Sequence, residues 1–415
     1  MATVKILHTS DWQLGMTRRF FAYHRDPSKV ADNPQVRYTQ AQLDAVRTLA
    51  AIAKEEQCDA VVVAGDVWDT NHLERNFLAK IKEALRQFSC PVFLLPGNHD
   101  PLKTTYPRQM LEELSNVQVI DSTTPYTLSD SVEIIGAPLY GNKPTKDPVW
   151  QAVKDLEPTD NIRVVVGHGT TTNFGDRSGD EIIDVQRLSA AIDEQRISYV
   201  ALGDTHSATK LNPQGTIWYS GAPVVTDFLR LPDGGGETNS GKALVVTITT
   251  HSDQPTSVAV EEKTVSNWRM HYITKQINDG QDVAEFVDLL ESYEDKHVTV
   301  VKYALQGVAP VAAHAQLASR LDELKDLFAV LYPSENRHRL AVAPTLEEIN
   351  DLNLPGWARN ALEELIHAVD DTHNAAPSIA ERDDDEIAAA SPQDQAGRAT
   401  DAINLLFRLY SELNS

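Results

Sequence analysis

Five times before residue 207, a short apolar run leads into a residue type that binds metals. Ile6–Leu7 leads to Ser10-Asp11-Trp12-Gln13, Ala60 to Ala64 to Gly65-Asp66, and Pro91 to Leu95 to Gly97-Asn98-His99-Asp100. Ile162 to Val166 leads to Gly167-His168, and Tyr199 to Leu202 to Gly203-Asp204-Thr205-His206. Val, Ile and Leu dominate these runs, as in strands covered on both faces. Amphipathic stretches such as Gln40 to Glu55 and Leu73 to Gln87 lie between them. That alternation makes the fold class α/β, built in layers. Sites in such folds form beyond the carboxyl ends of strands, so the five tips are expected to converge. A lone Gly-Asp after a strand is usually a turn or a helix cap; five tips in order point to a site.

The pattern changes after residue 217. Asp233 to Gly241 is a Gly-rich loop, and Ala243 to Thr250 with Ser257 to Glu262 reads as a hairpin extending a second sheet. A small α/β unit is expected over 268–344, with strands at Met270 to Lys275, His297 to Leu305 and Phe328 to Tyr332. Its helices are expected at Val283 to Tyr293 and Ala312 to Leu327. Thr345 and Glu348 form a capping box, and Pro355 opens a further helix, giving a helical segment over 345–369. Residues 370–395 hold eight acids and one base and read as a disordered linker. Ala402, Leu405, Leu406, Leu409 and Leu413 then share one side of an amphipathic helix in 396–415.

Composition limits the function. The 37 Lys and Arg face 60 Asp and Glu, a net charge of −23. This argues against tight nucleic-acid binding by the chain alone and against an anionic membrane surface. Two cysteines, Cys58 and Cys90, cannot build a disulfide framework and read as buried thiols. Met1 to Ser10 lacks a signal pattern, and no apolar run approaches the ~18 residues of a membrane span. A cytoplasmic setting without membrane contact is expected.

The ordered motifs resemble the calcineurin-like metallophosphoesterase superfamily, whose pattern runs Asp-x-His, Gly-Asp-x-x-Asp, Gly-Asn-His-Asp/Glu, an isolated His, and Gly-His-x-His. Within it, His8-Thr9-Ser10-Asp11-Trp12-Gln13-Leu14-Gly15 is similar to the opening of SbcD-type nuclease subunits. The motif-bearing part covers about 1–225, and the order of units extends it to about 344. The resemblance implies a four-layer α/β/β/α metallophosphoesterase core over 1–265, a capping domain over 268–344 and C-terminal helices. It implies two divalent metal ions bridged by Asp66, with Asp11, Gln13 and His206 completing one site and Asn98, His168 and Asp204 the other. His99 would stand beside the metals as the proton donor, with Asp100 fixing its tautomer or raising its pKa. The implied activity is metal-dependent endo- and exonuclease action on DNA, and the implied partner is an SbcC-like coiled-coil ATPase bound by the C-terminal helices. Packing onto a second copy of the chain, a homodimer, is the other reading of those helices.

Two positions depart from the family pattern. Gln13 stands for a histidine, and Asp204 for another. The resulting set is richer in oxygen, which favours Mn²⁺, or Mg²⁺, over Zn²⁺. Near the motifs, Arg18 and Arg19 begin a locally basic stretch that reaches Arg37 and could line a phosphodiester track, and His72 could reach a substrate phosphate. Phe20, Phe21 and Tyr23 read as core anchors. Two other functions stay open here: a free-standing phosphodiesterase for a small nucleotide, and a DNA-repair scaffold with a degenerate metal site.

Overall fold

A computed structural model describes residues 2–24, 33–70, 73–104, 108–111, 113–172, 179–250, 256–342, 356 and 360–365. The chain divides into two compact units, Met1–His271 and Tyr272–Ser415.

The first unit runs β1 (Thr3–Thr9), α1 (Pro34–Glu55), β2 (Ala60–Ala64), α2 (Arg75–Leu85), β3 (Val92–Leu95) and β4 (Val117–Val119). It continues with β5 (Tyr126–Ser129), β6 (Val132–Gly136), α3 (Pro148–Val153), β7 (Ile162–His168), α4 (Val185–Asp193) and β8 (Tyr199–Gly203). It closes with β9 (Thr209–Lys210), β10 (Ile217–Tyr219), β11 (Lys242–Thr249) and β12 (Ser257–Thr264). Two six-stranded sheets result, ordered β12-β11-β1-β2-β3-β4 and β5-β6-β7-β8-β10-β9. Strands β1 to β4 are parallel in the first, and β6, β7, β8 and β10 in the second.

Alternating side chains explain why these strands read as unbroken apolar runs. Ile6, Val62 and Phe93 face inward and pack with Ile134, Val164 and Tyr199 of the second sheet. Leu7, Val61, Val63 and Leu94 face outward and pack under Leu43 and Leu49 of α1 and Leu78 and Ile81 of α2. On the far side Ile135, Val165 and Val200 pack with Val149 of α3 and Leu188 of α4. The unit is therefore a four-layer α/β/β/α fold. Helix α1 starts at Pro34, ahead of the expected Gln40. Asn33 caps it by accepting from the Gln35 N–H (2.9 Å), and Pro34 occupies the first turn.

The hairpin of β11 and β12 corrects one expectation. It extends the first sheet, not a second, because β11 pairs antiparallel with the free edge of β1. Phe21 is a core anchor, stacked near Tyr38 and Trp268. Cys58 and Cys90 are buried free thiols, and burial pushes the Cys58 thiol up to about 12.

The second unit carries β13 (Arg269–Ile277, which begins at the boundary), α5 (Gly280–Glu291), β14 (Thr299–Ala309), α6 (Val311–Lys325), β15 (Val330–Pro333) and β16 (Arg339–Val342). Strand β14 pairs in parallel with both β15 and β16. Phe286 and Leu290 of α5 and Leu317 and Leu324 of α6 share a core with Val301 and Leu305. Residues 360–365 are helical, with Leu362 buried. The rest of 345–369 apart from Gly356, the acidic stretch 370–395 and the segment 396–415 lie outside the described residues. Among the described residues, no helix is long and apolar enough to cross a membrane.

Candidate metal centre

Backbone geometry marks the strand tips before any side chain is considered. Among the described residues, six other than glycine have positive φ. Gln57 and Gln195 follow the caps of α1 and α4, where a left-handed residue commonly ends a helix. The other four are Asp11 (51°), Gln13 (49°), Asp66 (54°) and Asp204 (102°). Four of the residues expected at the site thus sit in a conformation that L-residues rarely adopt. Surrounding bonds hold them there: the Asp11 N–H donates to the Gly65 carbonyl (3.0 Å) and the Gln13 N–H to the Asp66 carbonyl (3.1 Å). Glycines let the tips approach. A Cβ on Gly97 would lie 2.2 Å from Asp66 Oδ1, and one on Gly203 2.0 Å from the Ala64 carbonyl.

Asp11, Asp66 and His168 each offer a ligand atom, all within 4.8 Å of one another. His168 donates Nδ1–H to the Ala64 carbonyl (2.8 Å), which turns Nε2 toward Asn98 Oδ1 (2.7 Å), Asp66 Oδ1 (3.5 Å) and Asp204 Oδ1 (3.8 Å). Gln13 donates Nε2–H to Asp66 Oδ2 (3.1 Å). The Asp204 N–H donates to Asp11 Oδ2 (3.1 Å), and His206 Nε2 faces Asp11 Oδ1 at 3.7 Å. The structure therefore gathers all seven expected ligand residues into one chain of contacts. Burial lowers the His168 pKa, but Asp66, Asp11 and Asp204 outweigh it and hold it at about 9.

The residues fit a divalent cation. Asp11 and Asp66 are buried, and their positive partners among the described ion pairs are histidines only. Buried charge without such compensation is costly. Gln13 Oε1 is a buried acceptor with no hydrogen-bond partner. Asn98 Oδ1 and His168 Nε2 point two lone pairs at each other, which requires a shared proton or a cation between them.

His99 lies beside these groups. Its backbone N–H donates to Asp66 Oδ1 (2.9 Å), its Nδ1–H donates to the Asp69 carbonyl (3.3 Å), and Nδ1 is 3.9 Å from Asp69 Oδ1. The expected pairing of Asp100 with the His99 ring is corrected here. The Asp100 carboxylate accepts from the backbone N–H groups of Gly97 (2.6 Å), Val67 (2.9 Å) and Trp68 (3.4 Å), and so ties the β2 and β3 tips together. Burial raises its pKa to about 6.

Two further groups were not singled out from the sequence. Asp69 is one. Glu237 is the other, a buried carboxylate whose Oε1 accepts from His206 Nδ1–H (2.9 Å) and from the Thr226 hydroxyl, while Oε2 accepts from the Thr226 N–H (2.8 Å). This bond orients His206 Nε2 toward Asp11. Asp69 was legible as the last residue of Gly65-Asp66-Val67-Trp68-Asp69; Glu237, on the Gly-rich loop, had no motif to mark it.

Of the expected substrate contacts, Arg18 turns its Nη2 onto the Thr226 carbonyl, and Arg19 is exposed on a short turn over Arg19–His24. His72 lies outside the described residues. A cleft of about 610 Å³ opens on the other side of the cluster, lined by Asn98, His168 and Asp204 together with Leu139, Asn142 and Lys143.

The profile of the family described as calcineurin-like phosphoesterase matches residues 4–208. The chain carries a calcineurin-like phosphoesterase domain. Curated relatives of this phosphoesterase chain include the SbcD subunit of nuclease SbcCD from Escherichia coli (strain K12), 26% identical over 261 residues, covering 54% of this chain and 62% of that protein. The protein of the same name from Bacillus subtilis (strain 168) is 27% identical over 139 residues, covering 32% of this chain and 28% of that one. The alignment thus spans less than two thirds of these relatives. Among solved structures, a dimetal phosphatase from Danio rerio aligns with a TM-score of 0.37 and 11% identity, covering 64% of this chain and 97% of its own.

Proposed function

We propose that the chain is a divalent-metal-dependent phosphodiesterase that cleaves DNA, acting as the nuclease subunit of an SbcCD-like assembly. The observation that carries the reading is the gathering of Asp11, Asp66 and His168 within 4.8 Å, with His99 beside them. The relatives named as SbcD subunits of the SbcCD nuclease support the choice of DNA and of a coiled-coil ATPase partner.

Asp66 is central among the ligands and would bridge two ions. Asp11, Gln13 and His206 would hold one, and Asn98, His168 and Asp204 the other. Bound ions supply Lewis acidity to the phosphoryl oxygens and to the attacking water. The oxygen-rich set supports Mn²⁺, with Mg²⁺ second. His99 then serves as the acid that protonates the leaving oxygen, and Asp69 holds its Nδ1–H so that Nε2 is free for that transfer.

Cleavage of linear duplex DNA, single-stranded DNA and a chromogenic phosphodiester is measured in parallel with added Mn²⁺. Turnover of DNA that disappears in His99→Ala is the expected result. Failure of every divalent ion to support turnover overturns the reading.

A further inference from the structure

The phosphoesterase site sits in a chain of net charge −23, and the basic stretch that the sequence offers for substrate does not fill that role, since Arg18 is spent on a backbone carbonyl. The lip of the cleft offers another surface. Residues 139–146 read Leu-Tyr-Gly-Asn-Lys-Pro-Thr-Lys, with no acid among them. Leu139, Asn142 and Lys143 line the same cleft as Asn98, His168 and Asp204. Between them Tyr140 stands 76% exposed, more than any other large hydrophobic residue described.

The lip is fixed to the loop that bears Asn98 and His99. The Leu102 N–H donates to the Leu139 carbonyl (2.8 Å), the Lys103 N–H to the Tyr140 carbonyl (3.1 Å), and Asn142 Nδ2–H to the Asn98 carbonyl (2.6 Å). Tyr140 is therefore held on a braced ledge. Lys103, Lys143 and Lys146 are exposed, and none takes part in the ion pairs among the described residues. Lys103 Nζ reaches within 3.9 Å of the point where a Cβ on Gly141 would stand, so one of these cations lies against the lip itself.

We propose that this lip is a docking track for an unpaired nucleic-acid strand, with Tyr140 as the stacking platform for a base and Lys103, Lys143 and Lys146 as contacts to the backbone phosphates. The proposal rests on the phosphodiesterase reading above and names the form of its substrate. An aromatic face stacks on any base and lysines contact any phosphate, so the track is tolerant of sequence and sensitive to salt.

Binding of a short single-stranded oligonucleotide carrying 2-aminopurine is measured on the full chain in a His99→Ala background, which prevents turnover. Tyr140→Ala is expected to weaken binding roughly tenfold and to abolish the fluorescence change of a stacked base, whereas Tyr140→Trp retains both. Lys103→Glu with Lys143→Glu is expected to weaken binding and to make the dependence of log K on log salt shallower by about 1.4. Binding that ignores both sets of substitutions overturns the track. Hydrolysis of a small chromogenic phosphodiester by the unmutated chain separates the two claims. If it is absent while Tyr140-dependent binding persists, the phosphodiesterase reading falls and the track stands. If it is present while strand binding ignores Tyr140 and the lysines, the track falls alone.

Discussion

Gln13 and Asp204 show how much the site asks of single residues. Each replaces a histidine of the family pattern, and each holds a positive φ. Asx side chains tolerate that region, but glutamine gains little from it, so Gln13 sits there because the bond to the Asp66 carbonyl holds it. Glu237 is expected to matter as much as a ligand. Glu237→Gln keeps an acceptor for His206 but removes the charge, and about tenfold weaker Mn²⁺ binding is expected by calorimetry. Gly97→Ala is expected to lose metal binding with the circular dichroism spectrum kept, because its Cβ has nowhere to go beside Asp66.

His8 makes a separate prediction at the same scale. It is a fully buried core residue, with Nε2–H donating to the Leu202 carbonyl (3.1 Å) and Nδ1 accepting from the Tyr199 hydroxyl (3.0 Å). Burial lowers its pKa to about 3, against about 6.5 for an exposed imidazole. The unfolded chain therefore binds more protons between these values. The stability is fully present above pH 6.5 and is lost progressively as the pH falls toward 3. Between pH 7 and pH 5 this one group accounts for on the order of 2 kcal/mol. Urea unfolding at both pH values is expected to show a smaller difference for His8→Asn than for the unmutated chain.

At the scale of elements, helix starts depend on a few carboxylates. Asp147 caps α3 by accepting from the Val149 and Trp150 N–H groups (2.9 Å each), and its other oxygen accepts from the Asp184 N–H (3.0 Å) at the cap of α4. Asp147→Ala is expected to cost about 1–2 kcal/mol, read from chemical denaturation. Elements were legible where an apolar run and its flanking polar residues agreed, as at Ala60 to Asp66 and Tyr199 to His206. The hairpin was visible but its sheet was not, because an apolar strand such as Ala243 to Ile248 pairs with any free edge, and only the fold shows that β1 offers one. Glu237 escaped for a similar reason: its partner His206 is 31 positions away, and nothing local to a glycine-rich loop reports such a contact. Arg18 misled because a charge count does not show that a guanidinium is folded onto a carbonyl.

For the whole molecule, the net charge of −23 bears on how the chain meets its substrate. Most of its surface repels a polyanion, so attraction is confined to the metal ions and a few lysines, and the isolated chain should hold DNA weakly. A more basic partner would supply the remainder. Deletion of 396–415 is expected to abolish co-purification with a coiled-coil ATPase; unchanged recovery would remove that segment from the assembly.

Strand β1 has one edge filled by β2 and the other only by β11, which ends at Thr249. A ribosome working at about 5–20 residues per second makes β1 roughly 10–50 s before β11. During that interval Ile6, Leu7 and their neighbours present an open backbone edge, the kind that pairs with other chains. The strand that delivers Asp11 is thus among the first made and the last to be sealed, and yield in the cell will depend on what shields it meanwhile.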